Sequence, residues 1–285
     1  QFGAISSFGL GYGLTSSQVD SLFTNQVAAL GSVTFGLFES SHLTMLSSAQ
    51  LGAMNTQASS ILNSVQISAI GSEDIVGMTS AQFGAISSFG LGYGLTSSQV
   101  DSLFTNQVTA LGSVTFGLFE STHLTVMDSA QFSGMTTQAV SGLNSSHIIS
   151  IDSGDFLGLS SAQVSAISSV SVVGFTSTQL EALSSAQISS FASISFREFT
   201  SDQISSIGSE GIRGLTSGQI IAIDRDRYGY TAWLDYALGY GLTSSQVDVL
   251  YTNQIALLGS TTFGLFESLL YQPFKSPSLK VNNPI

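Results

Sequence analysis

Cysteine is absent from this chain of 285 residues, and basic residues are scarce. The absence of cysteine excludes both a disulfide framework and a thiolate metal site. Six lysines and arginines stand against 18 carboxylates, which gives a formal net charge of −12. Residues 1–196 contain no lysine or arginine, whereas nucleic-acid binding needs a basic surface. The sequence therefore predicts neither disulfides nor a nucleic-acid partner.

Long apolar runs and a signal-peptide pattern are also missing. No apolar segment reaches the roughly 18 residues that a transmembrane helix requires, so we expect no membrane span. The hydrophobic content of 43% nevertheless argues against a solvated, disordered tail. Gln1 falls in the middle of a repeat, which we interpret as a sign of a fragment or a processed form.

An eight-residue repeat fills most of the chain. Cut at its apolar residues, the sequence gives nine octads over 14–85, sixteen over 95–222 and three over 242–265. Position 1 is apolar in all 28 octads, position 6 in all but one, and position 3 is always Ser or Thr. Nine-residue variants that end in Gly-Tyr-Gly separate these blocks. A period this strict predicts a solenoid rather than a pocket that is built once.

The octad beginning Leu-Thr-Ser-x-Gln-Val is typical of a helix N-terminus. Thr15 is expected as the N-cap and Gln18 as its capping-box partner, while Leu14 and Val19 form the hydrophobic staple. We therefore predict an all-α solenoid of very short stacked helices, one per octad. Helices this short are unstable alone, so their order must come from stacking.

The same pattern predicts which repeat positions are structural. Positions 1 and 6 should face the core, and the position 3 hydroxyl should satisfy backbone groups at the turn or on the neighbouring coil. The glutamines at position 5 should form a ladder along the rod, either by capping the helix locally or by bonding to another rod. Representatives of these four positions are Leu14, Ser16, Gln18, Val19, Leu95, Ser97, Gln99, Val100, Leu242, Ser244, Gln246 and Val247.

The size of one coil is less directly encoded. Octads 70–77 and 207–214 lack the glutamine and in places alternate with octads that have it, which we interpret as a coil of two octads, or sixteen residues. The alternative is a β-solenoid, also with sixteen-residue coils, since Ser, Thr, Val, Ile and Phe favour strands. Against it, positions 1, 3, 6 and 8 cannot all face inward without a bend in every octad.

Three histidines are the main candidates for chemistry. His42, His123 and His147 all stand at position 5, and no carboxylate recurs beside all three. We expect a glutamine-like polar role at the helix start rather than a metal site or a general base. No Gly-x-Ser-x-Gly motif occurs either. The sequence therefore predicts no catalytic residue, no metal, no cofactor and no enzyme activity.

The repeat divides the chain into four predicted segments. They are an octad solenoid over 1–222, an insertion loop over 223–232, a continuation of the solenoid over 233–265, and a C-terminal cap, linker or docking tail over 266–285. The insertion has dense charge and is followed by aromatic residues, so it is either an exposed loop with weak ion pairs or a contact site. The candidate contact residues are Arg225, Arg227, Tyr228, Tyr230 and Trp233.

The octad pattern Leu-[Thr/Ser]-[Ser/Thr]-x-Gln-[Val/Ile]-x-[Ala/Ser] resembles the tandem repeats of very large, adhesin-like bacterial secreted or surface proteins. The resemblance implies an extracellular or cell-surface location with a structural or adhesive role, and it transfers no catalytic residue. We therefore expect an extracellular rod, fibre or filament that self-associates end to end or laterally. The alternative is a module that binds a repetitive target such as ice, a polysaccharide or a host surface.

Overall fold

The computed structural model describes residues 5–224 and 242–258. Within these two ranges the regular elements are α-helices of four to eight residues and two short 3-10 helices, with no strand. The predicted all-α class is therefore confirmed, and the β-solenoid alternative is wrong.

The α-helices, in chain order, are α1 (Ser7–Gly13), α2 (Ser16–Asp20), α3 (Thr24–Ala29), α4 (Ser32–Gly36), α5 (Ser40–Leu43), α6 (Ser48–Ala53), α7 (Thr56–Ser59), α8 (Ser64–Ser68), α9 (Ser72–Ile75), α10 (Ser80–Ala85), α11 (Ser88–Gly94), α12 (Ser97–Ser102), α13 (Thr105–Val108), α14 (Ser113–Leu118), α15 (Ser121–Leu124), α16 (Ser129–Gly134), α17 (Thr137–Val140), α18 (Ser145–Ser150), α19 (Ser153–Phe156), α20 (Ser161–Ser165), α21 (Ser177–Ala182), α22 (Ser185–Ser190), α23 (Ser201–Ser205), α24 (Ser209–Arg213), α25 (Ser217–Asp224), α26 (Ser244–Val247) and α27 (Thr252–Ile255). The 3-10 helices are η1 (Val172–Gly174) and η2 (Ser193–Arg197).

Each helix begins where the octad pattern places it, and α12 is representative. The hydroxyl oxygen of Thr96 accepts from the Gln99 N–H at 3.3 Å, and Gln99 Oε1 accepts from the Thr96 N–H at 2.8 Å. Leu95 and Val100, which flank this capping box, are 3% and 1% exposed. The helix ends before Leu103 because that residue is extended and leads into the next octad.

Three octads close one coil. The helices stack in three columns, since each helix contacts the third one along the chain. The 3-10 helices η1 and η2 take the place of α-helices in this order. Column A contains α1, α4, α7, α10, α13, α16, α19, α21 and α23; column B contains α2, α5, α8, α11, α14, α17, α20, α22, α24 and α26; column C contains α3, α6, α9, α12, α15, α18, η1, η2, α25 and α27.

The predicted sixteen-residue coil is therefore wrong. It was inferred from the alternation of octads with and without glutamine, but 70–77 lies in column C and 207–214 in column B. The alternation thus does not follow the turn of the solenoid. Contacts between every third helix instead set a coil of about 24 residues, which lengthens by one residue where a nine-residue variant is included.

One continuous core runs through the three columns. Positions 1 and 6 supply it, and large side chains such as Phe35, Phe83, Phe116 and Phe132 are fully buried. Burial of each such side chain stabilises by about 1.5–3 kcal/mol relative to exposure. Because each coil shares this core mainly with its two neighbours, stability is approximately a sum of coil and interface terms.

The stack resumes in register after residues 225–241, which lie outside the described ranges. Gln246 Nε2 donates to the Ile207 carbonyl at 2.7 Å, and Gln254 Nε2 donates to the Leu215 carbonyl at 2.8 Å. These bonds stack α26 on α24 and α27 on α25. Within the described ranges, no helix is both long and apolar enough to cross a bilayer.

Candidate functional site

Buried side chains at position 5 form a ladder of hydrogen bonds between coils. Gln99 Oε1 caps its own helix at the Thr96 N–H, while its Nε2 donates to the Ile67 and Ile70 carbonyls at 2.8 and 2.7 Å. Both carbonyls belong to the preceding turn of the solenoid, so one amide links helix initiation to coil stacking.

We call the hydrogen bond from a position 5 side chain to the preceding coil a rung of this ladder. The rung repeats along the chain with the same acceptor, the position 1 carbonyl of the unit three earlier. The glutamines that make it are Gln50, Gln66, Gln82, Gln99, Gln107, Gln131, Gln163, Gln179, Gln187, Gln203, Gln219, Gln246 and Gln254. The sequence predicts a ladder of position 5 side chains along the rod, made either by local capping or by bonds to another rod. The structure shows local capping together with a bond to the preceding coil of the same rod.

Three octads without glutamine at position 5 show how the rung is replaced or lost. Asn55 Nδ2 donates to the Leu30 carbonyl at 3.2 Å, and the Ser171 hydroxyl donates to the Leu143 carbonyl at 2.9 Å. Ser195 stands at position 5 of 191–198, and its hydroxyl is buried without a hydrogen-bond partner among the described residues. The rung is therefore missing at η2.

Each histidine reproduces the glutamine rung with its two ring nitrogens. His42 Nδ1 accepts from the Glu39 N–H at 3.0 Å, and His42 Nε2 lies 2.9 Å from the Leu14 carbonyl oxygen. This bonding assigns the neutral tautomer that carries hydrogen on Nε2. The predicted glutamine-like role is confirmed. The matching Nε2-to-carbonyl distances are 2.8 Å for His123 to Leu95 and 2.7 Å for His147 to Phe119.

The ring of His147 is harder to protonate than a histidine in water. Burial lowers its pKa, because the charged imidazolium loses hydration. The hydrogen bond to the Phe119 carbonyl opposes this effect, and the nearby His123 adds a smaller lowering of the pKa. The rung is thus held in its neutral, bonding form. Within the described ranges, no three His, Asp or Glu side chains are grouped to hold a metal ion.

The predicted structural positions differ in burial along the chain. In 95–102, Leu95, Gln99 and Val100 are buried and Ser97 is half-buried. In the first complete octad the side chain of Gln18 is exposed, and its Oε1 accepts from the Thr15 N–H and the Thr15 hydroxyl of its own helix start. Among the other predicted positions, the buried residues are Val19, Leu242 and Gln246, and the half-buried residues are Leu14, Ser16 and Val247. Ser244 is the first residue of α26.

The candidate contact residues of the insertion lie outside the described residues, so their role stays a prediction. These residues are Arg225, Arg227, Tyr228, Tyr230 and Trp233. The described part of the insertion shows that α25 continues through Asp224.

Sequence reasoning missed how closely successive coils approach at position 8. A Cβ added to Gly77 would overlap the carbonyl oxygen of Ser48, the position 3 residue one coil earlier. Small residues at both positions therefore permit the stacking. The signal in the sequence is glycine at position 8 paired with serine 29 residues before it, as in Gly142 and Ser113, Gly158 and Ser129, Gly174 and Ser145, and Gly214 and Ser185.

The hydroxyl at position 3 has the predicted role at two places. Ser80 Oγ donates to the Asn106 carbonyl at 2.8 Å, and Ser121 Oγ donates to the Ser146 carbonyl at 3.1 Å. Both acceptors lie on the next coil. Capping of the helix itself belongs to position 2, so the restriction at position 3 reflects close packing as well as hydrogen bonding.

Comparison with known proteins gives one match. A family model described as the ALTTAQ repeat matches residues 148–185, from within α18 to the start of α22. No curated protein and no solved structure matches the chain. The chain thus contains a tandem repeat region similar to the ALTTAQ repeat.

Proposed function

We propose that this chain is a structural repeat protein, an extracellular rod that self-associates into fibres or filaments. The observation that carries the proposal is the ladder itself. Rungs of one geometry join coil to coil from His42 to Gln254, so coil stacking depends on a generic interface rather than on a unique fit. A coil from a second copy can use the same interface.

The extracellular location rests on the resemblance of the octads to repeats of secreted surface proteins. The surface chemistry is compatible with such a role, since only 8% of the residues are charged and the remaining polar surface is mainly hydroxyl and amide. A second candidate function is binding to a repetitive uncharged surface such as ice or a polysaccharide. It is favoured by column B, where octads 135–142, 159–166 and 183–190 present hydroxyls and amides without any charged residue.

Imaging and sedimentation of the full chain test the proposed function. The described residues form about ten coils, which at roughly 8–10 Å per helical layer give a rod about 80–100 Å long. We expect these rods to associate into fibres or filaments as concentration rises. Monomers at every concentration would contradict the proposal, and thermal hysteresis or glycan binding by those monomers would favour the second function.

A further inference from the structure

An exposed apolar patch crosses three consecutive helices of column B. We call it the aromatic patch; it consists of Val65 on α8, Phe89 and Tyr93 on α11, and Val114 on α14. These side chains are 65%, 62%, 66% and 50% exposed. The rings of Phe89 and Tyr93 stack with their centroids 6.3 Å apart and their planes at 20°. Because α11 contacts both α8 and α14, the four side chains belong to one surface.

The patch lies on a face that carries no charge. Six consecutive column B units contain no Asp, Glu, Lys, Arg or His; they are 62–69, 86–94, 111–118, 135–142, 159–166 and 183–190. The whole chain has a formal net charge of −12, so two copies repel each other wherever carboxylates face one another. The uncharged face is where two copies can approach without that repulsion.

The chain carries a second version of the same surface. Residues 5–13 are identical to 86–94, and 30–37 are identical to 111–118. Phe8 and Tyr12 on α1 are 63% and 75% exposed, and Val33 on the adjacent α4 is 45% exposed. These helices lie in column A. The two versions therefore face different sides of the rod.

We propose that the aromatic patch is a lateral contact surface and that its partner is the same patch on a second copy of this chain. The inference rests on the proposed self-association and specifies where lateral contact occurs. A patch that meets its own copy forms a two-fold, self-complementary interface. The column A version gives each rod a second lateral neighbour in another direction, so pairing extends into bundles.

The size of the patch determines the strength of the contact. Its exposed side chains offer on the order of 400 Å² of apolar surface, which is within the range of functional patches on protein surfaces. A stable interface buries about 800 Å² per partner, so neighbouring Ser, Thr and Gln side chains must supply the remainder. A single patch therefore gives weak pairing, and several contacts along joined rods reinforce one another.

Sedimentation velocity and electron microscopy of the full chain with Phe89→Ser and Tyr93→Ser test the inference. The matched control is Phe23→Ser with Phe104→Ser, which removes two aromatic residues that are 74% and 60% exposed outside the patch. Circular dichroism should show every variant folded, since all four side chains are exposed. We expect the patch variant to need at least tenfold more protein for lateral pairing, while joined rods one molecule wide persist. The control should pair like the wild type.

The outcomes separate this inference from the proposed function. Undiminished lateral pairing of the patch variant overturns the patch assignment and leaves the rod function intact. A wild-type chain that stays monomeric at all concentrations overturns both. If that monomer binds a neutral polysaccharide and the patch variant does not, the patch is a carbohydrate platform and the self-association surface is wrong.

Discussion

Removal of one ladder rung should uncouple two adjacent coils. In Gln99→Met the side chain keeps its approximate shape and loses its donor and its acceptor. The Thr96 N–H and the Ile70 carbonyl then lose their bonds to Gln99. The Ile67 carbonyl retains a bond from the Ile70 N–H at 3.1 Å. The capping bond from the Gln99 N–H to the Thr96 hydroxyl oxygen is also retained, because it does not involve the glutamine side chain.

The expected loss follows from these two orphaned groups. An unsatisfied buried polar group costs about 1–3 kcal/mol, and the Thr96 N–H is partly accessible to water, so we expect a total of about 2–4 kcal/mol. Gln99→His should lose less than about 1 kcal/mol, because histidine makes the same pair of bonds at three other position 5 sites. In a linear array this loss is concentrated at one interface.

Urea unfolding followed by circular dichroism measures the loss, and amide hydrogen exchange locates it. Gln99→Met should shift the unfolding midpoint down and raise exchange most in the helices that meet at this rung, α9 and α12. Gln99→His should leave both measurements near the wild-type values. If the two variants unfold at the same midpoint and exchange alike, the ladder does not hold the coils together and the reasoning is refuted.

Three further changes test other parts of the structure. Leu95→Asp should lower the free energy of unfolding by several kcal/mol, since it buries a carboxylate. Ser98→Asp, at an exposed position, should change it by less than about 0.5 kcal/mol. Equal losses of stability, followed by circular dichroism, would contradict the octad register. Acidification from pH 7 to 5 should lower stability, because the pKa of His147 is lower in the folded than in the unfolded chain. The contribution of neutral His147 to stability is present above about pH 6.5 and is lost as the pH falls through the folded pKa. His147→Gln should reduce that slope in urea titrations, and an unchanged slope would argue against this origin. Gly77→Ala should lower the thermal unfolding midpoint, because the added methyl group overlaps the neighbouring coil. Gly84→Ala places its methyl group in open space inside a helix, so it should raise the midpoint and add up to about 1 kcal/mol to the free energy of unfolding. The opposite order of midpoints would exclude close coil packing at position 8.

The local structure follows from the sequence because its causes lie within one octad. The cap Thr96, its partner Gln99 and the staple formed by Leu95 and Val100 are all within six residues. Their spacing alone distinguishes a helix start from a strand. The same octads predict inward and outward positions for the same reason.

The coil size has no such local cause. It is set by which earlier carbonyl receives Gln99 Nε2, and that carbonyl, at Ile70, is 29 residues away. The octad contains no feature that distinguishes two units per turn from three. The pairing of Gly77 with Ser48 does contain this information, but only once the helices are known to stack. For the same reason the aromatic patch was not predicted, since Val65, Phe89 and Val114 become neighbours only in a coil of three octads.

A distance between two exposed sites on one column tests the three-octad coil most directly. The chain has no native cysteine, so Ser98→Cys and Val170→Cys can carry spin labels without other substitutions. Both sites are exposed at position 4 of column C, nine octads apart. Three coils at roughly 8–10 Å per layer predict a backbone separation of about 24–30 Å, measured by pulsed electron resonance. A separation of about 36–45 Å, which four and a half sixteen-residue coils would give, would contradict the account.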